Sequence, residues 1–334
     1  MKNTLILVAA VILFLTMEVM TAARFSFSPQ VGVAKGTQGM PPMQLVYGYL
    51  GDDGTHAVLS EIRPSGVTVH EEFTHLFAEG EFSFDGSSIA YCNCGDRSRN
   101  PFGIYVTNLA RRDTKMITPL ATKYCVLVRW SPDGRYLSYF DGDTDEFHVI
   151  TLATCEDRIW PNIKGGFRHS WNPKGTQIVF ERGYGGEREL FITDLNGNVR
   201  QLTSLRDATH LESVVPVWSR DGSQIAFIVM EVEREKLRAA FLDFRPGDIH
   251  PFDRAGGKSV LHTIAPDGTG LKRFALLENA YTLGWSMDNE WIIFSSDGGR
   301  LMRVRRDGRD LGVIATSLGY EHPMDFSLAP IRSK

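Results

Sequence analysis

Apolar residues along this chain come in short runs of strand length, each closed by a polar reversal. Runs such as Ile178-Val179-Phe180 and Ile225-Ala226-Phe227 fit strands covered on both faces, as when one sheet packs between two others. Ahead of each run stand a large aromatic and a short turn. The phrase reads "FSFDGSSIAY" from Phe82, "WSPDGRYLSY" from Trp130, "WNPKGTQIVF" from Trp171, "WSRDGSQIAF" from Trp218 and "WSMDNEWIIF" from Trp285. A degenerate copy begins at Phe326 in "FSLAP". The steps between these aromatics are 48, 41, 47, 67 and 41 residues, so all but one match the length of a single propeller blade.

Each position of the phrase has a physical reason. A tight reversal needs positive φ, which Gly adopts cheaply and Asp or Asn tolerates, so Asp-Gly or Lys-Gly between apolar runs marks a hairpin. The aromatic before it buries ~150–250 Å² and suits the space between neighbouring sheets. The repeated Asp85, Asp133, Asp221 and Asp288 are read as turn residues, because hairpin geometry itself selects Asp there. A second hairpin follows each phrase, as in "GIYVTNLARRDTKMIT" (Gly103 to Thr118), "ELFITDLNGNVRQLT" (Glu189 to Thr203), "VLHTIAPDGTGLKRF" (Val260 to Phe274) and "LMRVRRDGRDLGVIAT" (Leu301 to Thr316). Two hairpins per repeat make a four-stranded antiparallel sheet, the unit of a β-propeller rather than of a helical solenoid.

The phrase "WSPDG…IAF…LFITDLNGN…QLT" resembles the repeat of TolB-like β-propellers, a relative of the WD-repeat type, although the WD dipeptides are absent. The resemblance implies an all-β propeller over most of the chain. It leaves no room for the separate N-terminal α/β domain of TolB, so the partner-docking role of TolB is not carried over.

Five phrases give five blades. The segment "MQLVYGYLGDDGTHAVLSEI" (Met43 to Ile62) carries the second-hairpin pattern around Asp53-Gly54, and "GYEHPMDFSLAP" (Gly319 to Pro330) reads as a first strand with nothing after it. Together they predict a sixth blade built from both ends of the chain, which closes the ring and removes its edges. "FSFSPQVGVA" (Phe25 to Ala34) is an alternative first strand for that blade. The long step after Trp218 reflects an excursion over residues 231–259, rich in helix formers at first and in Pro, Gly and Asp afterwards. A long loop on a rigid scaffold either flanks a binding face or is a tolerated insertion.

Residues 1–23 differ from the rest: one basic residue, Lys2, an apolar run from Leu5 to Leu15, and small residues at Thr21, Ala22 and Ala23. This is the layout of a signal peptide, with a membrane anchor over residues 4–20 as the alternative, and residues 24–334 form the propeller. The expected location is extracytoplasmic, periplasmic or secreted. Cys92, Cys94, Cys125 and Cys155 are then buried thiols or form one or two disulfides. A net charge of −4 argues against nucleic acid as partner.

The candidate site lies over the central channel, lined by the strand that precedes each aromatic. Arg168, His169, Tyr281, Glu321 and His322 offer polar groups towards its mouth. His169 and His322 could ligate a metal only if brought together with Glu321 across the ring, so no metal site is assigned. The GxSxG, GxxxxGK[ST] and HExxH motifs are missing, and neither a cofactor nor a catalytic residue is assigned. The expected role is a monomeric binding module for a protein or carbohydrate-type partner, with membrane contact only through an uncleaved N-terminal segment. The rival is an enzyme acting on polysaccharide, a lyase or hydrolase, at the channel mouth.

Overall fold

The computed structural model describes residues 37–51, 54–74, 80–93, 101–120, 127–163, 168–183, 188–205, 210–233, 235–236, 239, 257–274, 279–316 and 326–331. The described strands form six four-stranded antiparallel sheets. In order from the axis outwards, blade 2 comprises Gly80–Phe82, Ser88–Asn93, Gly103–Asn108 and Asp113–Pro119. Blade 3 comprises Arg129–Trp130, Tyr136–Asp141, Glu146–Thr151 and Glu156–Ile159. Blade 4 comprises His169–Trp171, Gln177–Arg182, Glu189–Asp194 and Val199–Gln201. Blade 5 comprises His210–Trp218, Ile225–Glu231, Lys258–Ile264 and Lys272–Arg273, and blade 6 Leu283–Trp285, Trp291–Ser296, Arg300–Arg305 and Gly312–Ala315. Each inner strand lies against the next, and the ring closes.

Closure comes from blade 1, whose inner strand Phe326–Pro330 pairs antiparallel with Met43–Gly51, aligning Leu328 with Leu45. The remaining strands are Gly54–Arg63 and Gly66–Thr74. The sequence pattern therefore placed Met43 to Ile62 one strand too far out. It forms the second and third strands, and the alternating run Gly66–Thr74 supplies the fourth. Phe25 to Ala34 lies outside the described residues.

The hydrophobic core is divided into six clusters, one at each junction between blades. Trp218 packs with Val179, Leu190 and Ile192 of blade 4, Trp285 with Val214 and Ala226 of blade 5, and Trp171 with Phe140 and Phe147 of blade 3. The aromatic of every phrase thus faces the preceding blade. In blade 1 the wedge position is taken by Leu328 rather than by Phe326. Ser327 Oγ accepts the Phe82 backbone N–H at 3.1 Å, as Glu81 Oε2 accepts that of Trp130 at 2.6 Å and Ser170 Oγ that of Trp218 at 3.2 Å. These bonds satisfy the axis-facing backbone donor that an inner edge strand leaves exposed.

The turn aspartates do what hairpin geometry asks. Ser83, Ser131, Ser219 and Ser286 donate to Asp85, Asp133, Asp221 and Asp288 at 2.5–2.7 Å, and each carboxylate also accepts a backbone N–H two residues on. In blade 4 Asn172 Oδ1 plays the part by accepting from Thr176 and Gln177. Gly86, Gly134, Gly175 and Gly222 hold φ near +70°, and blade 6 has Asn289 at φ 61° in that place. Cys155 is a half-buried thiol with Lys115 Nζ 3.5 Å from its sulfur, Cys92 is buried and not joined to it, and Cys94 and Cys125 lie outside the described residues.

Replacing Trp218 with Ala should cost about 3–5 kcal/mol in urea unfolding, and the half-buried Trp130 less. Burial raises the Asp221 carboxyl, but the hydrogen bonds from Ser219 and Ser223 and the Arg306 charge outweigh it and hold it down at about 2. A lowered carboxyl stabilises above its unfolded value and loses that contribution as pH falls through the folded one. Wild type should therefore exceed Asp221→Asn by about 1 kcal/mol at pH 5, after discounting for solvent screening, with the gap closing towards pH 2.

Candidate functional site

The six inner strands enclose a cavity of about 140 Å³ on the ring axis. Successive inner-strand residues alternate in direction, so the wedge residue and the residue two before it face the preceding blade. The intervening positions face the axis and the next blade. Axial positions supply Glu81 from blade 2, Arg129 from blade 3, Arg168 and Ser170 from blade 4, Gly284 from blade 6 and Ser327 from blade 1.

Blade 5 departs from the others. Its inner strand runs from His210 to Trp218 and carries an extra residue between Val214 and Val217. Val215 sits at φ 56°, a costly conformation for a β-branched residue, and Pro216 follows it on an edge strand that can spare an N–H. The bulge gives the cavity an apolar wall of Val215, Pro216 and Val217.

The floor is built from the residues two past each wedge, among them Phe84, Pro132, Pro173 and Arg220. Arg220 crosses the axis: its Nη2 donates to the Leu328 carbonyl at 3.0 Å and its guanidinium lies 4.6 Å from the centre of the Phe84 ring. Burial pushes this guanidinium down from its ordinary value, against the pull of Glu81. Among the described residues, three arginines and one carboxylate line the cavity, which gives this lining a net positive charge.

Of the residues expected at the mouth, Arg168 lines the cavity, and its Nη1 is buried with no hydrogen-bond partner among the described residues. His169 borders the cavity, but its Nε2 is 2.8 Å from Ser138 Oγ and its ring meets Phe147 edge-on, which holds the imidazole between blades 3 and 4. The Trp171 indole donates to the same hydroxyl at 2.8 Å. Tyr281 donates to Asp297 of its own blade at the rim. Glu321 and His322 lie outside the described residues. Among the described residues no cluster of three metal-ligating side chains is present.

A buried ion cluster stands behind Arg168 at the junction of blades 4 and 5. Arg188 donates to Glu181 Oε1 at 3.3 Å and to Glu212 Oε2 at 2.6 Å, and both glutamates are buried. Burial alone would lower the Arg188 guanidinium, but the two carboxylates outweigh it and hold it above its ordinary value. Nearby, Glu189 accepts from Thr203 and Ser213 at 2.5 and 3.2 Å. The cluster fixes the bulged strand against blade 4.

These features define a closed six-bladed propeller with a blind, basic, partly apolar axial cup. Its fold is that of the TolB-like β-propellers. TolB from Acinetobacter baumannii superposes with a TM-score of 0.65 at 15% identity, over 86% of this chain and 67% of that one. A putative TolB from Agrobacterium tumefaciens gives 0.57 at 15% identity, over 83% and 89%. A chain of a nidogen/laminin complex gives 0.61 at 8% identity, over 86% and 98%. No protein-family model and no curated protein sequence matches the chain.

Arg188→Met should destabilise by about 3–5 kcal/mol, because two buried carboxylates lose their cation. Adding Glu181→Gln and Glu212→Gln should restore most of that loss in denaturant melts.

Proposed function

We propose that this chain is a monomeric extracytoplasmic binding module that presents its channel-mouth face to a protein or carbohydrate-type partner, without catalysis of its own. The unlike build of the two faces carries this reading. On the floor side, all reversals between consecutive described strands within a blade are two to seven residues long. The mouth side carries the connections from each blade to the next, five to ten residues long, and reversals within blades that range from two residues to the 26 that join Glu231 to Lys258 in blade 5. Long connections on a rigid scaffold are where binding surfaces are built. The extracytoplasmic location rests on the signal-like composition of residues 1–23. Support by analogy comes from the nidogen/laminin structure, by its name a protein complex on the same fold.

Photo-crosslinking in the native cell tests the reading. Probes at Tyr281 and Asp297, on the mouth side, should yield discrete adducts or label a bound glycan, while probes at Asp267 and Asp307, on the floor side, should not. Equal labelling from both faces, or protease protection that places the chain in the cytoplasm, would count against it.

A further inference from the structure

We propose that the axial cup is a carboxylate site, in which Arg168, with Arg129 beside it, takes the carboxylate of a ligand whose body is about the size of a six-membered ring. This deepens the binding-module reading, on which it rests, by giving the channel its ligand chemistry.

Arg168 carries the argument. Its Nη1 is buried with no partner among the described residues, and an orphaned buried donor costs stability unless something answers it. The strand register sets Arg168 opposite Glu181, whose backbone N–H donates to the Arg168 carbonyl at 3.2 Å. Glu181 meets Arg188 through Oε1 while its Oε2 is buried without a partner, and no ion pair to Arg168 forms among the described residues. The guanidinium therefore keeps its planar fork for an incoming anion, the geometry that suits a carboxylate held by two parallel bonds.

Three further observations narrow the ligand. The cup holds about 140 Å³, close to the ~150 Å³ of a cavity known to accept benzene, so it takes one ring-sized group. The bulge at Val215 and Pro216 gives that group an apolar wall, and the strain stored at Val215 is of the kind found where a backbone is shaped for a ligand. Glu81 remains in the lining, 3.9 Å from Arg129 Nε, and its charge opposes a dianion more than a singly charged carboxylate. Arg220 and the prolines close the far end, so the ligand enters from the mouth.

Calorimetric titration of the purified full chain tests this without reference to any macromolecular partner. Benzoate and glucuronate are the probes, benzamide the neutral isostere, and inorganic phosphate the competing anion. Saturable binding of benzoate assigns an apolar acid and binding of glucuronate a sugar acid; either outcome supports the site. Benzamide should not bind, and Arg168→Gln should weaken the acid by roughly tenfold to a hundredfold. Should Arg168→Gln not fold, Arg129→Gln should weaken binding several-fold. The proposal is overturned if neither acid binds, if benzamide or phosphate binds as well as the acid, or if the folded variant keeps full affinity. Crosslinking from the mouth face would stand or fall separately.

Discussion

Everything in this molecule depends on the pairing of its last described strand with its first. A propeller blade is stable only between two neighbours, because its faces are apolar and its innermost strand is an edge. Opening the ring would strip blade 1 of its inner strand and expose the core shared by blades 6 and 1. Leu328, Phe326 and Ser327 prevent this, the first two by packing against Trp291 and Ile293, the third by accepting the Phe82 N–H. Once closed, the ring gathers six inner edge strands about its axis, and their side chains must share one narrow volume.

That crowding explains the site. Inner-strand positions facing the axis are spent in two ways: oxygen-bearing residues tie one blade to the next, and the remainder decide what the channel holds. At Glu81, Ser170 and Ser327 the first use prevails. At Arg129 the residue cannot accept, and the junction of blades 3 and 4 is tied instead through Ser138, which meets both Trp171 and His169. Arg129 brings a positive charge to the cup lining, where the Glu81 carboxylate lies 3.9 Å from its Nε.

The architecture was legible in the sequence because it repeats. Wedge aromatics, turn aspartates and alternating runs are all dictated by local geometry, and each recurs often enough to fix a period. Where the repeat decays its register is ambiguous: "LAP" at Leu328 is the counterpart of "WSP" and "WNP", while Phe326, two residues earlier, carries the aromatic. The site was legible only in part. Arg168 and His169 are adjacent, and strand alternation sends the first to the axis and the second to the preceding blade. Arg220 was hidden inside the repeated phrase, two after its wedge, and Arg129 immediately ahead of it, one before its wedge. The bulge at Val215 has no local signature beyond Pro216, since it arises from one residue too many between fixed partners.

Amide hydrogen exchange resolved by strand tests the closure most directly. If the ring is one cooperative unit held by its terminal pairing, amides of Met43–Gly51 and Phe326–Pro330 should exchange as slowly as those of Ile225–Glu231 in blade 5, through global opening alone. Exchange in blade 1 that runs orders of magnitude faster, while blade 5 stays protected, would show that the terminal strands are not what holds the propeller shut.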